Sequence, residues 1–337
     1  MPNVNKKQKK VAVLGATGLV GREILKVLEQ RNFPVSELIP LASERSAGKT
    51  LDFMGERRTV RAVDDDSFEG ADIALFSAGS TASRRWAPIA AAAGAVVIDN
   101  SSAWRMDAEA PLVVPEVNPF DIELNNGIIA NPNCSTIQAV VALYPLHLKA
   151  GLNYVAFSTY QSVSGTGQEA LKTLESGSRD FLDGREPSSS LVYPHPIAFD
   201  LLPHIGPFDQ DGISEEEWKM VRESRKIMHI PDLWVSCTTV RTPVFRGHGE
   251  AVLARFDKPI TPEEVREILS CAPGVELQDN PGSSIYPRPR YAEGKDPVYV
   301  GRIRKDTGLE NAIAMWVVSD NLRKGAALNA VQIAELL

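Results

Sequence analysis

The sequence predicts two domains: a mostly parallel, doubly wound α/β domain, and an α+β domain built on a mixed or antiparallel sheet. Three observations carry this. The apolar run Val11-Ala12-Val13-Leu14 enters a glycine turn, Gly15-Ala16-Thr17-Gly18-Leu19-Val20-Gly21, and Val20, Ile24, Leu25 and Leu28 continue at helical spacing. Strand-like and helix-like segments then alternate, which points to a parallel sheet with helices on both faces. Beyond Leu233, strand candidates follow one another with a single helix among them, which suits an antiparallel or mixed sheet. At 337 residues the chain exceeds the usual size of one hydrophobic core. The expected division places 1–133 with 322–337 in the first domain and 134–321 in the second.

The first strand, glycine turn and helix form a dinucleotide-binding (Rossmann-type) opening. Glycines let backbone approach a diphosphate, and the helix N-terminus offers it N–H groups. The spacing is G-x-x-G-x-x-G, a variant of the usual fingerprint, and a turn that merely packs helix on strand is the structural alternative. A second strand, Leu38 to Ala42, ends in Ser43-Glu44-Arg45-Ser46-Ala47-Gly48-Lys49. Guanidinium and hydroxyl donors there suit the 2′-phosphate of NADP, whereas Glu44 keeps NAD open. Further strands are expected at Asp72–Ser77, Val96–Asp99, Leu112–Val114 and Ile128–Ala130, with an alanine-rich helix over 80–93. Ser77 ends one of these strands, where such sheets bind cofactor, and Arg105 follows another as a candidate anion ligand.

Asn131-Pro132-Asn133-Cys134-Ser135-Thr136 follows a short buried strand and precedes apolar residues at helical spacing. Cys134 is thus expected at a helix start, where unpaired N–H groups and the dipole favour a thiolate. Next come a strand over Leu152–Gln161, the loop Ser162-Val163-Ser164-Gly165-Thr166-Gly167 and a helix from Gln168 to about Leu182. Prolines over 184–212 and Ser188–Ser190 predict irregular loops. Ser214 caps a helix whose first turn is acidic, so capping is the simplest role for Glu216. Strands are expected at Leu233–Val240, Ala251–Phe256, Val298–Arg304 and Ala312–Val318, a helix from Thr261 to about Cys271, and a final helix over Arg323–Leu337.

Composition excludes several classes. A net charge of −7 argues against general nucleic-acid binding. No window approaches the roughly 20 apolar residues of a membrane span, and Lys6, Lys7, Lys9 and Lys10 read as a basic tail entering a strand rather than a signal peptide. Three widely spaced cysteines suggest neither disulfides nor a metal site, and a reducing cytoplasm fits. Of five histidines, His248 sits between Gly247 and Gly249, which would leave its ring accessible as acid and base. Cys237 is the rival thiol, but its strand-like surroundings predict an inert one.

Taken together, these motifs resemble the bacterial type of aspartate-semialdehyde dehydrogenase along nearly the whole chain. The likeness rests on the glycine turn, Ser43 to Gly48, Asn131 to Thr136, Thr159-Tyr160-Gln161-Ser162-Val163-Ser164-Gly165, the spacing of Arg241 from His248, and Asp320-Asn321-Leu322-Arg323-Lys324-Gly325. It implies an NADP-dependent phosphorylating aldehyde dehydrogenase acting through a thioester on Cys134, with His248 as acid and base and Gln161 placing the substrate. It implies Arg241 on the α-carboxylate, Glu216 on the ammonium, and Arg105, Asn133 and Lys219 on inorganic phosphate. Gly15, Thr17, Gly18, Leu19, Val20, Ser43, Arg45, Ser46, Ser77 and Ser164 would hold NADP, while Gly165 and Asn321 complete the nicotinamide pocket. A homodimer or homotetramer is implied. N-acetyl-γ-glutamyl-phosphate reductase is the nearest alternative, although its cysteine usually lies in a Pro-Gly-Cys context, and a catalytically silent dinucleotide-binding paralogue is the other.

Overall fold

The computed structural model describes residues 7–187 and 192–337, so the expectations on Lys6 and on Ser188–Ser190 lie outside the described residues. The chain divides into two compact units, the first ending at Pro132 and resuming over Ala326–Leu337, the second covering Asn133–Gly325.

The first unit contains β1 (Lys9–Leu14), α1 (Leu19–Gln30), β2 (Val35–Ala42), β3 (Thr50–Phe53), β4 (Glu56–Thr59), β5 (Arg61–Ala62), β6 (Ile73–Phe76), α2 (Ser80–Ala92), β7 (Val96–Asp99) and β8 (Ile128–Ala130). Its sheet runs β5-β2-β1-β6-β7-β8 with every pairing parallel. Alternation along β1 separates two cores. Val11 and Val13 pack with α1 residues Ile24, Leu25 and Leu28 and with the terminal helix, whereas Ala12 and Leu14 pack with Trp86, Ala87 and Ala90 of α2. Helices on both faces explain why the strands are apolar on both sides.

Several expectations need correction here. Lys9 and Lys10 belong to β1 rather than to a tail, and Lys10 is held by backbone and side-chain partners at Asp72 and Glu37. Leu112–Val114 is no strand: only Leu112 forms a bridge, to Ala130, because the buried side chain of Asn118 takes up the Val114 N–H and the Leu112 carbonyl. The antiparallel hairpin β3–β4 went unread, since its short polar strands give no apolar alternation.

The second unit contains α3 (Cys134–Ala150), β9 (Leu152–Gln161), α4 (Gln168–Leu182), α5 (Glu215–Met228), β10 (Trp234–Arg241), β11 (His248–Phe256), α6 (Pro262–Cys271), β12 (Val275–Leu277), α7 (Pro289–Ala292), β13 (Val298–Lys305) and β14 (Ala312–Ser319). Its sheet is mixed, in the order β10-β9-β11-β14-β13-β12: the β9–β10 and β12–β13 pairs are parallel and the others antiparallel. Residues 192–212 hold no helix or strand. A π-helical turn, Arg323–Ala327, ends this unit and leads to α8 (Leu328–Glu335) of the first, so the expected single terminal helix is two kinds of helix.

Candidate active site

The strand ends of the second unit bring functional side chains to one face. In β9 the burial alternates, with Thr159 and Gln161 buried while Ser158 and Tyr160 are exposed. Thr159 pairs with Thr239 and Glu250, Gln161 with Arg241, and His248 with Ser319. Side chains paired across strands share a face, so polar residues line the buried side of β9, β10, β11 and β14 where a simple core would be apolar. Helices α3 and α5 pack on that side.

His248 is completely buried, which corrects the expectation that its flanking glycines expose it. They serve the backbone instead. Gly247 has φ +89°, and a Cβ on Gly249 would come within 2.4 Å of the Trp316 ring. The ring is held at Nδ1, which accepts the Ser162 backbone N–H at 3.0 Å and lies 3.1 Å from Ser162 Oγ. A backbone N–H can only donate, so the resting neutral ring carries its proton on Nε2. Burial, and then the neighbouring Arg241 charge, push its pKa down to about 3. His248 therefore enters any reaction uncharged.

Two further features make this point a candidate site. Nε2 of His248 and Nε of Arg241 are buried without a protein partner. A Cβ placed on Gly165 would sit 3.1 Å from Arg241 Nη1 and 3.5 Å from His248 Nε2, so glycine keeps the space in front of both groups open. Arg241 Nη1 also donates to the Ser162 carbonyl at 2.8 Å. The Asn321 carboxamide accepts from Ser162 Oγ, Ser164 Oγ and the Gly247 N–H and donates to Ser164 Oγ. It ties the Ser162–Gly165 loop to the strand of His248.

Ser162 was missed as an individual residue, because nothing in its spacing distinguishes it from a loop hydroxyl. Its Oγ donates to Asn321 Oδ1 at 3.1 Å and, once the backbone N–H gives up Nδ1, can also accept from that nitrogen, the arrangement needed when Nε2 must act as a base. Ser162→Ala is therefore expected to lower kcat about tenfold or more with NADP affinity unchanged. An unaltered kcat would remove the hydroxyl from the proton path.

Cys134 is the first residue of α3 and partly exposed. The helix start differs from expectation in one respect: Asn133 Oδ1 caps it, accepting from the N–H groups of Ser135 and Thr136 at 3.0 and 3.3 Å. Those donors are committed to the cap, so the helix dipole rather than a cluster of unpaired N–H groups is what remains to favour a thiolate. Asn133 is fixed further by its own N–H to Glu223 and by Nδ2 to Glu216 at 2.8 Å. Gly325, in the π-turn, backs directly onto Cys134.

Glu216 is buried and is not the capping acid, since the capping box belongs to Ser214 and Glu217. Burial alone would raise its pKa, but Lys219, Asn133, Arg241 and Gln161 outweigh it and keep the carboxylate ionised. Lys219 approaches it at 3.3 Å and also pairs with Glu215. Glu216 thus joins the residue before Cys134 to Gln161, Arg241 and Lys219. Arg105 belongs to the first unit and is buried, donating to the carbonyls of Asn131 and Asn100. Cys237 lies on β10, where burial above all, helped by Glu217 and Glu216, pushes its thiol far up, so it is chemically quiet.

In the first unit the predicted cofactor residues gather at the carboxyl ends of β1, β2 and β6. A Cβ on Gly15 would strike the Ser77 carbonyl at 2.7 Å, and one on Gly21 the Gly15 carbonyl at 2.1 Å, so the glycine turn is close-packed by necessity. Helices α1 and α2, and α4 in the second unit, open on Gly18, Gly79 and Gly167 with no side-chain cap, whereas α3, α5 and α6 are capped by side chains. Ser43, Glu44 and Arg45 are exposed, and Ser46 is buried and accepts from Lys49 Nζ. Among the described residues no group of His, Cys, Asp and Glu could hold a metal ion, and no helix is long and apolar enough to cross a membrane.

Both units resemble known proteins. Residues 10–125 match the semialdehyde dehydrogenase NAD binding domain and residues 143–324 the semialdehyde dehydrogenase dimerisation domain. The chain is 57% identical over 331 residues to the aspartate-semialdehyde dehydrogenase of Aquifex aeolicus, covering 97% of both chains. It is 51% identical to that of Bacillus subtilis over 334 residues, 97% of this chain and 96% of the other. Aspartate semialdehyde dehydrogenase II of Vibrio cholerae, solved in complex with ASA, superposes with a TM-score of 0.96 at 48% identity over 98% of each chain. The Candida albicans enzyme, solved with NADP, gives 0.78 at 26% identity over 98% of each chain.

Proposed function

The chain belongs to the aspartate-semialdehyde dehydrogenase family, and we propose that Cys134, Gln161, Arg241 and His248 are its catalytic centre. The activity is the reversible, NADP-dependent conversion of 4-phospho-L-aspartate to L-aspartate 4-semialdehyde and phosphate, in the biosynthesis of lysine through diaminopimelate, of threonine and of methionine. The observation that carries the assignment of residues is the convergence on Gly165: an unpartnered imidazole nitrogen and a guanidinium face one open space.

The first unit fits the cofactor. Gly15, Thr17, Gly18, Leu19 and Val20 form the close-packed turn and uncapped helix start that suit a diphosphate, and exposed Ser43 and Arg45 with Ser46 suit a 2′-phosphate. Ser77 closes the turn, and Ser164, Gly165 and Asn321 belong to the nicotinamide side. NADP supplies or accepts the hydride.

In the biosynthetic direction the Cys134 thiolate attacks the acyl phosphate carbon, the carbon–oxygen bond to phosphate breaks, and a thioester forms. The Nε2–H of His248 is a donor for the carbonyl oxygen as negative charge develops there. Gln161 orients the acyl group. Arg241 grips the α-carboxylate, and that neutralisation has a second effect: it removes one of the causes that depress His248, so the ring becomes more basic when substrate is bound. Ionised Glu216 faces the substrate ammonium, and Arg105, Asn133 and Lys219 serve phosphate, Asn133 by exchanging its bond to Glu216. The second unit carries the dimerisation domain, and the enzyme assembles as a homodimer or a homotetramer. Its setting is the cytoplasm, where a nucleophilic thiol stays reduced.

The test is phosphate-dependent NADPH formation from L-aspartate 4-semialdehyde, run beside the N-acetylglutamate semialdehyde. Turnover is expected with the first substrate alone. Oxidation of only the acetylated substrate would overturn the substrate assignment.

A further inference from the structure

Glu250 stands two residues beyond His248 on β11, and strand alternation turns both to the face on which α3 packs. Its carboxyl is fully buried, and neither oxygen makes a hydrogen bond within the protein. Ser135 Oγ and Gln138 Nε2, from the first turns of α3, are buried and equally without partners. Both face the Glu250 carboxyl as its nearest hydrogen-bonding side chains, though neither contact has full hydrogen-bond geometry. Gln138 is oriented from behind by Ser319 Oγ, which donates to its Oε1 at 2.6 Å and leaves the amide N–H groups directed elsewhere. Four unpartnered polar atoms thus converge between the helix that begins with Cys134 and the strand that begins with His248.

We propose that Glu250 is a positioning residue, a neutral carboxylic acid that locks the first turn of α3, and with it Cys134, onto the strand presenting His248. A protonated carboxyl suits the surroundings. It can accept from Ser135 and Gln138 and still offer an O–H, whereas a carboxylate would be an uncompensated buried charge. The groups facing it are Ser135 and Gln138 from α3, Thr159 from β9, Cys237 from β10, Ser319 from β14, neutral His248 on its own strand, and the Glu216 carboxylate from α5, which repels a second negative charge. Burial, helped by Glu216, holds the Glu250 carboxyl well above the usual range. Its neutrality also spares the start of α3 a negative neighbour that would oppose a thiolate at Cys134.

The proposal rests on Cys134 being the nucleophile, and the experiment separates the two. Glu250→Gln keeps the shape and hydrogen-bonding capacity of a neutral acid, so kcat should stay within about threefold of wild type near neutral pH. Glu250→Leu removes the lock, and kcat should fall roughly 10- to 100-fold with KM for both substrates little changed. A second readout does not involve the reaction. Folded Glu250 keeps a proton that the unfolded chain releases above the ordinary carboxyl pKa, so wild-type stability is lost as pH rises through the interval up to the folded pKa. The Tm of wild type should therefore drop progressively relative to Glu250→Gln as pH rises above the ordinary carboxyl range. Glu250→Gln as inactive as Glu250→Leu would show that a charge is required and overturn the proposal, as would a Tm difference independent of pH. If Glu250→Leu does not fold, the Gln variant decides by activity and pH slope together.

Discussion

Cys134→Ala is expected to abolish turnover, by roughly 10⁴-fold or more, while NADP binds as before. The argument is chemical before it is structural. Hydride can leave only after the aldehyde carbon has been converted to a tetrahedral adduct, and the oxidised product must then remain open to attack by phosphate. A thioester meets both needs. Alanine at this position keeps the Asn133 cap, because that cap uses the N–H groups of Ser135 and Thr136 and not the Cys134 side chain. Initial-rate assays with fluorescence titration of NADPH would separate chemistry from binding, and substantial residual activity would overturn the nucleophile assignment.

Gly325→Ala is expected to lower kcat by about two orders of magnitude with little change in KM. A Cβ there would lie 2.8 Å from Cys134 Cβ and 3.2 Å from its Cα, closer than real carbon contacts allow. The start of α3 has little freedom to retreat. Asn133 is held by its cap, by Glu223 and by Glu216, and Ser135 and Thr136 are completely buried. Strain of this kind costs about 1–3 kcal/mol, so Tm should fall as well. Activity within twofold of wild type would mean that the π-turn yields instead, and Cys134 would then owe nothing to its neighbour.

The parallel sheet and its order of elements were legible because strands β1, β7 and β8 are short apolar runs bounded by turn residues, and α6 begins where its Thr261 cap indicates. The position of Cys134 was legible for a related reason, since a strand, a proline turn and an apolar helix fix where it must lie. His248 was proposed on a ground that the structure overturns. Adjacent glycines usually mean exposure, but here Gly249 makes room for Trp316 and the imidazole is interior. Asn133 shows the same limit. Sequence proposes it for phosphate, and only coordinates reveal that its side chain first caps a helix and binds Glu216. Ser162, Glu250 and Gly325 had no individual role in the sequence reading. Each acts on a residue that is distant along the chain, and a contact of that kind leaves no periodicity.

The helices that open on Gly18, Gly79 and Gly167 carry a further consequence. A side-chain cap is worth about 1 kcal/mol, and these three helices forgo it where α3, α5 and α6 do not. Two of them begin at glycine turns of the first unit, and the third follows the Ser162–Gly167 loop, where the proposed cofactor residues lie. Their missing caps leave backbone donors for a bound anion to satisfy, so folding and ligand occupancy become one linked equilibrium. In a cell, the lifetime of this enzyme against unfolding and proteolysis would then follow the local supply of its dinucleotide, and depletion of that pool would remove protein as well as substrate.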